Sequence, residues 1–128
     1  MTSRRLLAIA AALVVTLAAS SSTAPAQSSQ RRVIEITAER FEFWPSEITV
    51  AQGEAVELRI TSDDTMHGFR IVGGGVNVTV PKRGKGAVII PFTATTPGRF
   101  TFECSHMCGA GHNFMRGTLI VRPAGATQ

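Results

Sequence analysis

The chain has 128 residues, 13 of them basic and 9 acidic, and a formal net charge of +4. This length suits one domain with a single modest core. Two of the basic residues, Arg4 and Arg5, lie at the start of the chain, and the remaining residues carry a net charge of only +2. They also lack the interleaved aromatic and basic residues typical of nucleic-acid binding, which is therefore not expected.

Residues 1–26 are typical of an export signal. Arg4 and Arg5 give a basic start, an apolar run of 14 residues extends from Leu6 to Ala19, and Ala24-Pro25-Ala26 offers a small-x-small cleavage site. A membrane-spanning helix needs about 20 apolar residues, so we expect a soluble mature chain in the periplasm or an equivalent compartment. A membrane anchor is expected only if the signal stays uncleaved. Sec and twin-arginine export both remain open.

The rest of the chain predicts a disordered leader over residues 27–31, one domain over 32–123 and a disordered tail over 124–128. Within the domain, apolar residues alternate with polar ones in short runs that end at turn signals such as Gln52-Gly53. Eight strands are predicted: Val33–Thr37, Glu47–Val50, Ala55–Thr61, His67–Val72, Val76–Val80, Gly86–Phe92, Arg99–Glu103 and Gly117–Val121. Pro91 predicts an edge strand or a bulge. The fold class is therefore all-β, a Greek-key β-sandwich.

The segment from Cys104 to Met115 holds the chain's only two cysteines together with His112 and the thioether of Met115. Thiolate, imidazole and thioether together suit copper. A mononuclear blue-copper site uses one Cys, two His and a weak axial Met, so a second Cys four residues earlier, Cys104, would be surplus there. Two thiolates are accounted for if both bridge a pair of metal ions.

Three other interpretations of the same segment stay open. The spacing 104, 108, 112 and 115 is also one stripe of an amphipathic helix, although Gly109 and Gly111 would each cost about 1 kcal/mol in a helix interior. The two cysteines of an exported protein could form a disulfide. A Cys2His2 zinc site could use the same side chains.

The spacing resembles the CuA motif of cytochrome c oxidase subunit II and of nitrous oxide reductase, Cys-x3-Cys-x3-His-x2-Met. The resemblance implies a cupredoxin fold and a dinuclear copper centre with two ions per chain. It assigns these metal ligands: His67, Cys104, the backbone carbonyl of His106, Cys108, His112 and Met115. It thus implies that the ring of His106 is dispensable, while a ring ligand remains the alternative. Met66 and Met107, which flank proposed ligands, would either fill the core or form an apolar rim.

The resemblance also implies the function. We expect an electron-transfer protein that does no bond chemistry itself and exchanges single electrons with a c-type cytochrome, another cupredoxin, or a terminal oxidase or reductase. Oxidase subunits generally carry Glu where this chain has His106, and they have a transmembrane hairpin that is not recognisable here, so a structural role in an oxidase is not expected. The alternative is a periplasmic copper chaperone or storage protein that uses the same ligands.

Overall fold

The computed structural model of the protein describes residues 30–126. The predicted export signal over 1–26 lies outside them, as do residues 27–29 of the predicted leader and 127–128 of the predicted tail. Nine strands are present in the described part: β1 (Arg32–Glu39), β2 (Glu42–Trp44), β3 (Glu47–Ala51), β4 (Ala55–Ser62), β5 (His67–Ile71), β6 (Val76–Val80), β7 (Val88–Thr93), β8 (Gly98–Glu103) and β9 (Arg116–Arg122). A 3₁₀ helix covers His112–Phe114. Within residues 30–126, no helix is long and apolar enough to cross a membrane.

The strands form two sheets that face each other. One has four strands in the order β2-β1-β4-β7, and the other has five in the order β3-β9-β8-β5-β6. β1 runs parallel to β4, and β3 runs parallel to β9, whereas the other neighbours are antiparallel. The predicted all-β sandwich is confirmed. The chain passes from one sheet to the other after β2, β3, β4, β6 and β7.

All eight predicted strands are found, with ends that differ by no more than two residues. The seventh begins at Val88 instead of Gly86. Pro91 lies in β7, an edge strand of the four-stranded sheet, as expected for a residue that has no N–H to donate. The additional strand is β2, Glu42–Trp44, whose three residues are too few for an alternation of apolar and polar side chains to be recognised.

The core beneath one end of the sandwich contains three packed phenylalanine rings. Phe43 lies 5.6 Å from Phe69 and 5.5 Å from Phe102 between ring centroids, and Phe69 lies 5.3 Å from Phe102. Aromatic pairs at these separations add to the free energy gained by burying their area. Phe69 comes two residues after His67, and Phe102 two residues before Cys104. The ring cluster therefore fixes the strands that carry both side chains.

Candidate metal centre

The predicted ligands lie at one end of the sandwich, called here the metal pole. Residues 104–115 connect the antiparallel strands β8 and β9, and the Cys104 N–H donates to the Met115 carbonyl over 3.0 Å, which closes the connection at its base. His67 begins β5, which pairs with β8. This pairing brings His67 to the same pole although 37 residues separate it from Cys104.

Cys104 has two potential donor atoms beside it. Its Sγ lies 3.9 Å from Nδ1 of His67 and 3.1 Å from the backbone oxygen of His106. The predicted use of the His106 carbonyl therefore agrees with where the backbone lies. His67 is fully buried, whereas the His106 side chain is exposed.

Cys108 has a similar environment. Its Sγ lies 3.8 Å from Nδ1 of His112 and 3.8 Å from Sδ of Met115. The two Sγ atoms of Cys104 and Cys108 are 3.7 Å apart. The structure thus brings all six predicted residues together, each sulfur next to one imidazole and one weak donor. Their role as ligands stays a prediction.

Two of the alternative interpretations of this segment fail. The helix interpretation is wrong, because 104–115 is a loop whose only helical part is the 3₁₀ turn at His112–Phe114. The disulfide interpretation is also wrong: both cysteines are free thiols, and their sulfur atoms are 3.7 Å apart, whereas a disulfide bond is roughly 2.05 Å long. The residues that the sequence selected are therefore held close without a covalent bond.

Burial affects the chemistry of the thiols. Cys104 and Cys108 are each 5% exposed. Burial, followed by the neighbouring thiol of Cys104, raises the pKa of Cys108 to about 11. A thiolate is the form that binds metal, so a metal ion must displace the proton of Cys108 at neutral pH.

Asp64, which the sequence did not single out, orients His67. Its Oδ1 lies 2.6 Å from Nε2 of His67, so the imidazole that donates there presents the lone pair of Nδ1 to Cys104. A carboxylate behind a histidine is a common arrangement at metal sites, since it fixes the tautomer of the ring. Burial alone would favour the protonated acid, but hydrogen bonds from His67 and from the backbone N–H groups of Thr65 and Arg40 lower the pKa of Asp64.

Arg40, also missed in the sequence, connects the two halves of the site. Its Nε donates to the backbone oxygen of Cys108 over 2.6 Å and lies 3.9 Å from Oδ2 of Asp64. One guanidinium thus contacts the segment that carries Cys108 and the carboxylate that orients His67. A sequence separation of 68 residues between Arg40 and Cys108 leaves no local signal of this contact.

The next residue, Phe41, explains the two glycines of the loop. Gly109 has φ +141°, which favours glycine, and a Cβ there would lie 3.0 Å from the Phe41 ring. At Gly111, a Cβ would overlap the same ring. The glycines are therefore needed for the close approach of Phe41, which packs against the core cluster.

Gly68 permits a second close approach. A Cβ at this position would overlap Oγ of Ser105 and lie 2.6 Å from the backbone nitrogen of His106. The Gly68 N–H points to Sγ of Cys104 over 3.5 Å. Glycine thus lets β5 approach the cysteine segment closely enough to donate to a sulfur.

The surface around the site is partly apolar. Met66 is 41% exposed and Met107 71% exposed, so neither fills the core, and the rim interpretation is the one that the structure favours. Phe114, inside the 3₁₀ turn next to His112, is 83% exposed.

Comparison with known proteins identifies the family of the chain. Residues 8–121 match the cupredoxin-like domain. The chain belongs to the cupredoxin family. Domains of this family bind copper and carry electrons.

The similar proteins include an oxidase subunit and a reductase. The chain is 35% identical to cytochrome c oxidase subunit 2 of Thermus thermophilus over 89 residues, which are 70% of the chain and 64% of that subunit. It is 36% identical to nitrous-oxide reductase of Stutzerimonas stutzeri over 86 residues, which are 64% of the chain and 13% of the reductase. The cupredoxin domain thus has homology to the copper domains of both proteins, and the chain spans less than two thirds of either one.

A solved structure shows the same fold. The periplasmic domain of subunit II of cytochrome oxidase of Bradyrhizobium japonicum matches with a TM-score of 0.64 and 18% sequence identity, over 73% of this chain and 85% of that domain. At this identity the likeness concerns the fold alone. The expected cupredoxin topology is confirmed.

Proposed function

We propose that the protein is an exported electron carrier with a dinuclear copper centre of the CuA type. The observation that carries the proposal is the paired arrangement at the metal pole. Cys104 and Cys108 are 3.7 Å apart, and each has its own imidazole Nδ1 within 3.9 Å. A single copper would leave one thiolate surplus, whereas two coppers use both.

The donor set fits this group. His67, Cys104, Cys108 and His112 would supply the strong donors, and the His106 carbonyl and the Met115 thioether the weak ones. When bound, the copper pair would supply exchange of one electron at a time.

The residues of the chain provide the rigidity that such a centre needs. His67 and Met115 are fully buried, and the three-phenylalanine cluster holds β5 and β8 directly beneath the site. Asp64 fixes the His67 ring, and Arg40 restrains the Cys108 backbone. Donors that keep their positions need little rearrangement when the charge of the centre changes, which favours fast electron exchange.

Location and partners follow from the proposal. An exported protein of this type would work in the periplasm and exchange electrons with a c-type cytochrome, another cupredoxin, or a terminal oxidase or reductase. The apolar rim of Met66 and Met107 supports a carrier, because a partner could approach the ligands closely there.

The decisive experiment is copper loading of the full chain followed by metal analysis and visible and EPR spectroscopy. Two copper ions per chain and a purple mixed-valence product are expected. Cys104→Ser and Cys108→Ser should each abolish that spectrum, because each removes one of the two thiolates that the proposed copper pair would share. Ser105→Ala, between the cysteines, is the matched control and should keep it. One blue copper per chain, or zinc alone, would refute the dinuclear centre.

His106→Gln tests the carbonyl assignment. The backbone oxygen is retained in this variant, so two coppers and a nearly unchanged spectrum are expected. Loss of one copper in this variant alone would show that the imidazole is a ligand.

A copper chaperone or storage protein would differ in how firmly it holds copper. A carrier should keep both ions through repeated oxidation and reduction in the presence of an apo-acceptor. Ready transfer of copper to the acceptor, together with slow electron exchange, would favour the chaperone.

A further inference from the structure

The two sheets carry opposite charge. The strands of the four-stranded sheet contain four acidic and two basic residues. Those of the five-stranded sheet contain two acidic and four basic residues. The net charges of the strands, −2 and +2, give the sandwich an electrical asymmetry across its thickness although the whole chain is only weakly basic.

Three neighbouring strands of the five-stranded sheet carry the first charged residues next to the metal pole. Arg70 on β5 and Arg116 on β9 lie on either side of Glu103 on β8. Glu103 accepts a hydrogen bond from Arg70 and lies 3.8 Å from Nε of Arg116. One carboxylate thus serves two guanidiniums, whose side chains are 48% and 60% exposed, and an excess positive charge remains.

Both arginines line a cleft that borders the proposed metal centre. The cleft has a volume of about 220 Å³ and is also lined by His112, Ser105 and Asn113. A negatively charged group that entered it would contact the arginines and lie beside the edge of His112, the less buried of the two proposed imidazole ligands. Positive charge and a proposed electron-transfer ligand therefore share one surface.

Three more cations lie in the loop that follows β6 at the metal pole. Lys82, Arg83 and Lys85 are all exposed. Among residues 30–126, no carboxylate lies within 4.0 Å of their charged groups. The Arg83 N–H donates to the backbone oxygen of Asp64 over 3.2 Å, which fixes the loop beside the residue that orients His67. Asp64 marks the boundary of the surface, since its own carboxylate faces Arg40 and His67.

From this arrangement we infer that Arg70, Arg116 and the loop 82–85 form a docking surface, called here the basic face, for an acidic redox protein. The inference rests on the proposed electron-transfer function and names the chemistry of the partner. This surface carries five cations and one carboxylate, Glu103, and the exposed Asp63 lies beside Asp64 at its boundary. Partner carboxylates would replace solvent around unpaired cations, and the field of the basic face would accelerate and orient encounter with the metal pole.

The experiment measures electron exchange between the copper-loaded full chain and two c-type cytochromes of similar potential and opposite net charge. Stopped-flow rates are recorded at increasing ionic strength. The acidic cytochrome should react faster, and added salt should lower its rate about tenfold, because screening removes steering. A faster reaction of the basic cytochrome, or rates independent of salt with both, would overturn the inference.

A matched pair of variants locates the effect. Lys82→Glu with Lys85→Glu reverses two charges of the basic face and should lower the low-salt rate with the acidic cytochrome about tenfold. Arg99→Glu with Arg122→Glu makes the same change in net charge at the far end of the same sheet and should leave the rate within about twofold of the unmodified chain. Equal losses in both variants would show that net charge alone acts, and would overturn the basic face.

Two further readouts separate the possible failures. Copper content and the visible spectrum are measured first in each protein, since a centre that does not form concerns the proposed function and not the docking surface. Vesicles of anionic phospholipid supply the other competitor. Binding to them that depends on Lys82 and Lys85, without any preference between the cytochromes, would assign the basic face to a membrane surface instead.

Discussion

The two ends of the sandwich are closed in different ways. At the end opposite the metal pole, called here the far pole, the turn after β3 is held by backbone hydrogen bonds: the Gln52 N–H donates to the Arg122 carbonyl over 2.8 Å, and the Gly53 N–H to the Ala94 carbonyl over 2.8 Å. At the metal pole, two thiols, two imidazoles and a thioether meet. Distances between two sulfur atoms, or between a sulfur and a ring nitrogen, are 3.7 to 3.9 Å there. Such contacts are too long for strong hydrogen bonds.

This difference indicates where function lies. Polar groups that pair with each other, as at the far pole, stabilise the fold and leave nothing to bind. At the metal pole the donor atoms of buried residues face one another, and residues outside the ligand set, Arg40, Phe41 and Asp64, hold them in place. Donor atoms that neighbouring residues hold close together in this way support the proposed metal centre at this end.

Glycine substitutions should distinguish the two poles most strongly. Gly111 has φ −91° and ψ 8°, which alanine tolerates, so the cost of Gly111→Ala is the overlap with Phe41. We expect unfolding free energy to fall by about 1–3 kcal/mol and the copper spectrum to change. Gly53→Ala, at φ +79° with no nearby atom, should cost about 1–2 kcal/mol through backbone strain and leave the spectrum intact.

Combining Gly111→Ala with a smaller side chain at Phe41 tests the proposed overlap directly. Phe41→Leu should recover part of the stability lost in Gly111→Ala, as measured by chemical denaturation in a double-mutant cycle. It should recover none of the loss in Gly53→Ala. Independent effects of Gly111 and Phe41 would contradict the packing argument.

Removing one arginine at each pole is the next test. Arg40→Ala should raise the copper dissociation constant about tenfold, measured by competition with a chelator, because the Cys108 backbone and Asp64 lose a common partner. Arg99→Ala removes an exposed arginine whose ion pair with Glu47, 3.4 Å long, lies at the far pole. It should leave copper affinity unchanged and stability within about 0.5 kcal/mol. Arg40→Lys should recover little, since the guanidinium makes two contacts.

The smallest effect is expected from a carboxylate at the far pole. Hydrogen bonds from Arg32 and from the Ala51 N–H lower the pKa of Glu54 below its ordinary value. A lowered pKa in the folded chain means that the ionised group stabilises the fold above the ordinary pKa, and that this contribution disappears as pH falls through the folded value.

Glu54→Gln should therefore be less stable than the unmodified chain at neutral pH, with a difference that shrinks on acidification. Denaturation curves between neutral and acidic pH measure it. Glu47→Gln, which alters a more exposed ion pair, is the control and should show a smaller change. A difference for Glu54→Gln that stayed constant with pH would contradict the charged role of Glu54, and any change in copper content would contradict the separation of the two poles.

The sequence by itself determined the strands and the chemistry of one segment. Alternation over runs such as Val56 to Ile60 reports which side of a strand is buried, because side chains point to opposite faces with a period of two. The spacing of donors between Cys104 and Met115 was equally readable, since all of them lie in one loop. β2 was not predicted, because three residues are too few to show an alternation of apolar and polar side chains.

Only the tertiary structure decided what surrounds those donors. Asp64 and Arg40 are common surface residue types, and nothing near them in the chain indicates a partner; they reach His67 and Cys108 because β1, β4 and β8 all end at the same pole. The need for glycine at Gly111 likewise comes from Phe41, 70 positions earlier. Local pattern records the conformation and burial of a segment, whereas contacts between distant segments depend on sheet order and strand direction, and these are set by the packing of the whole sandwich.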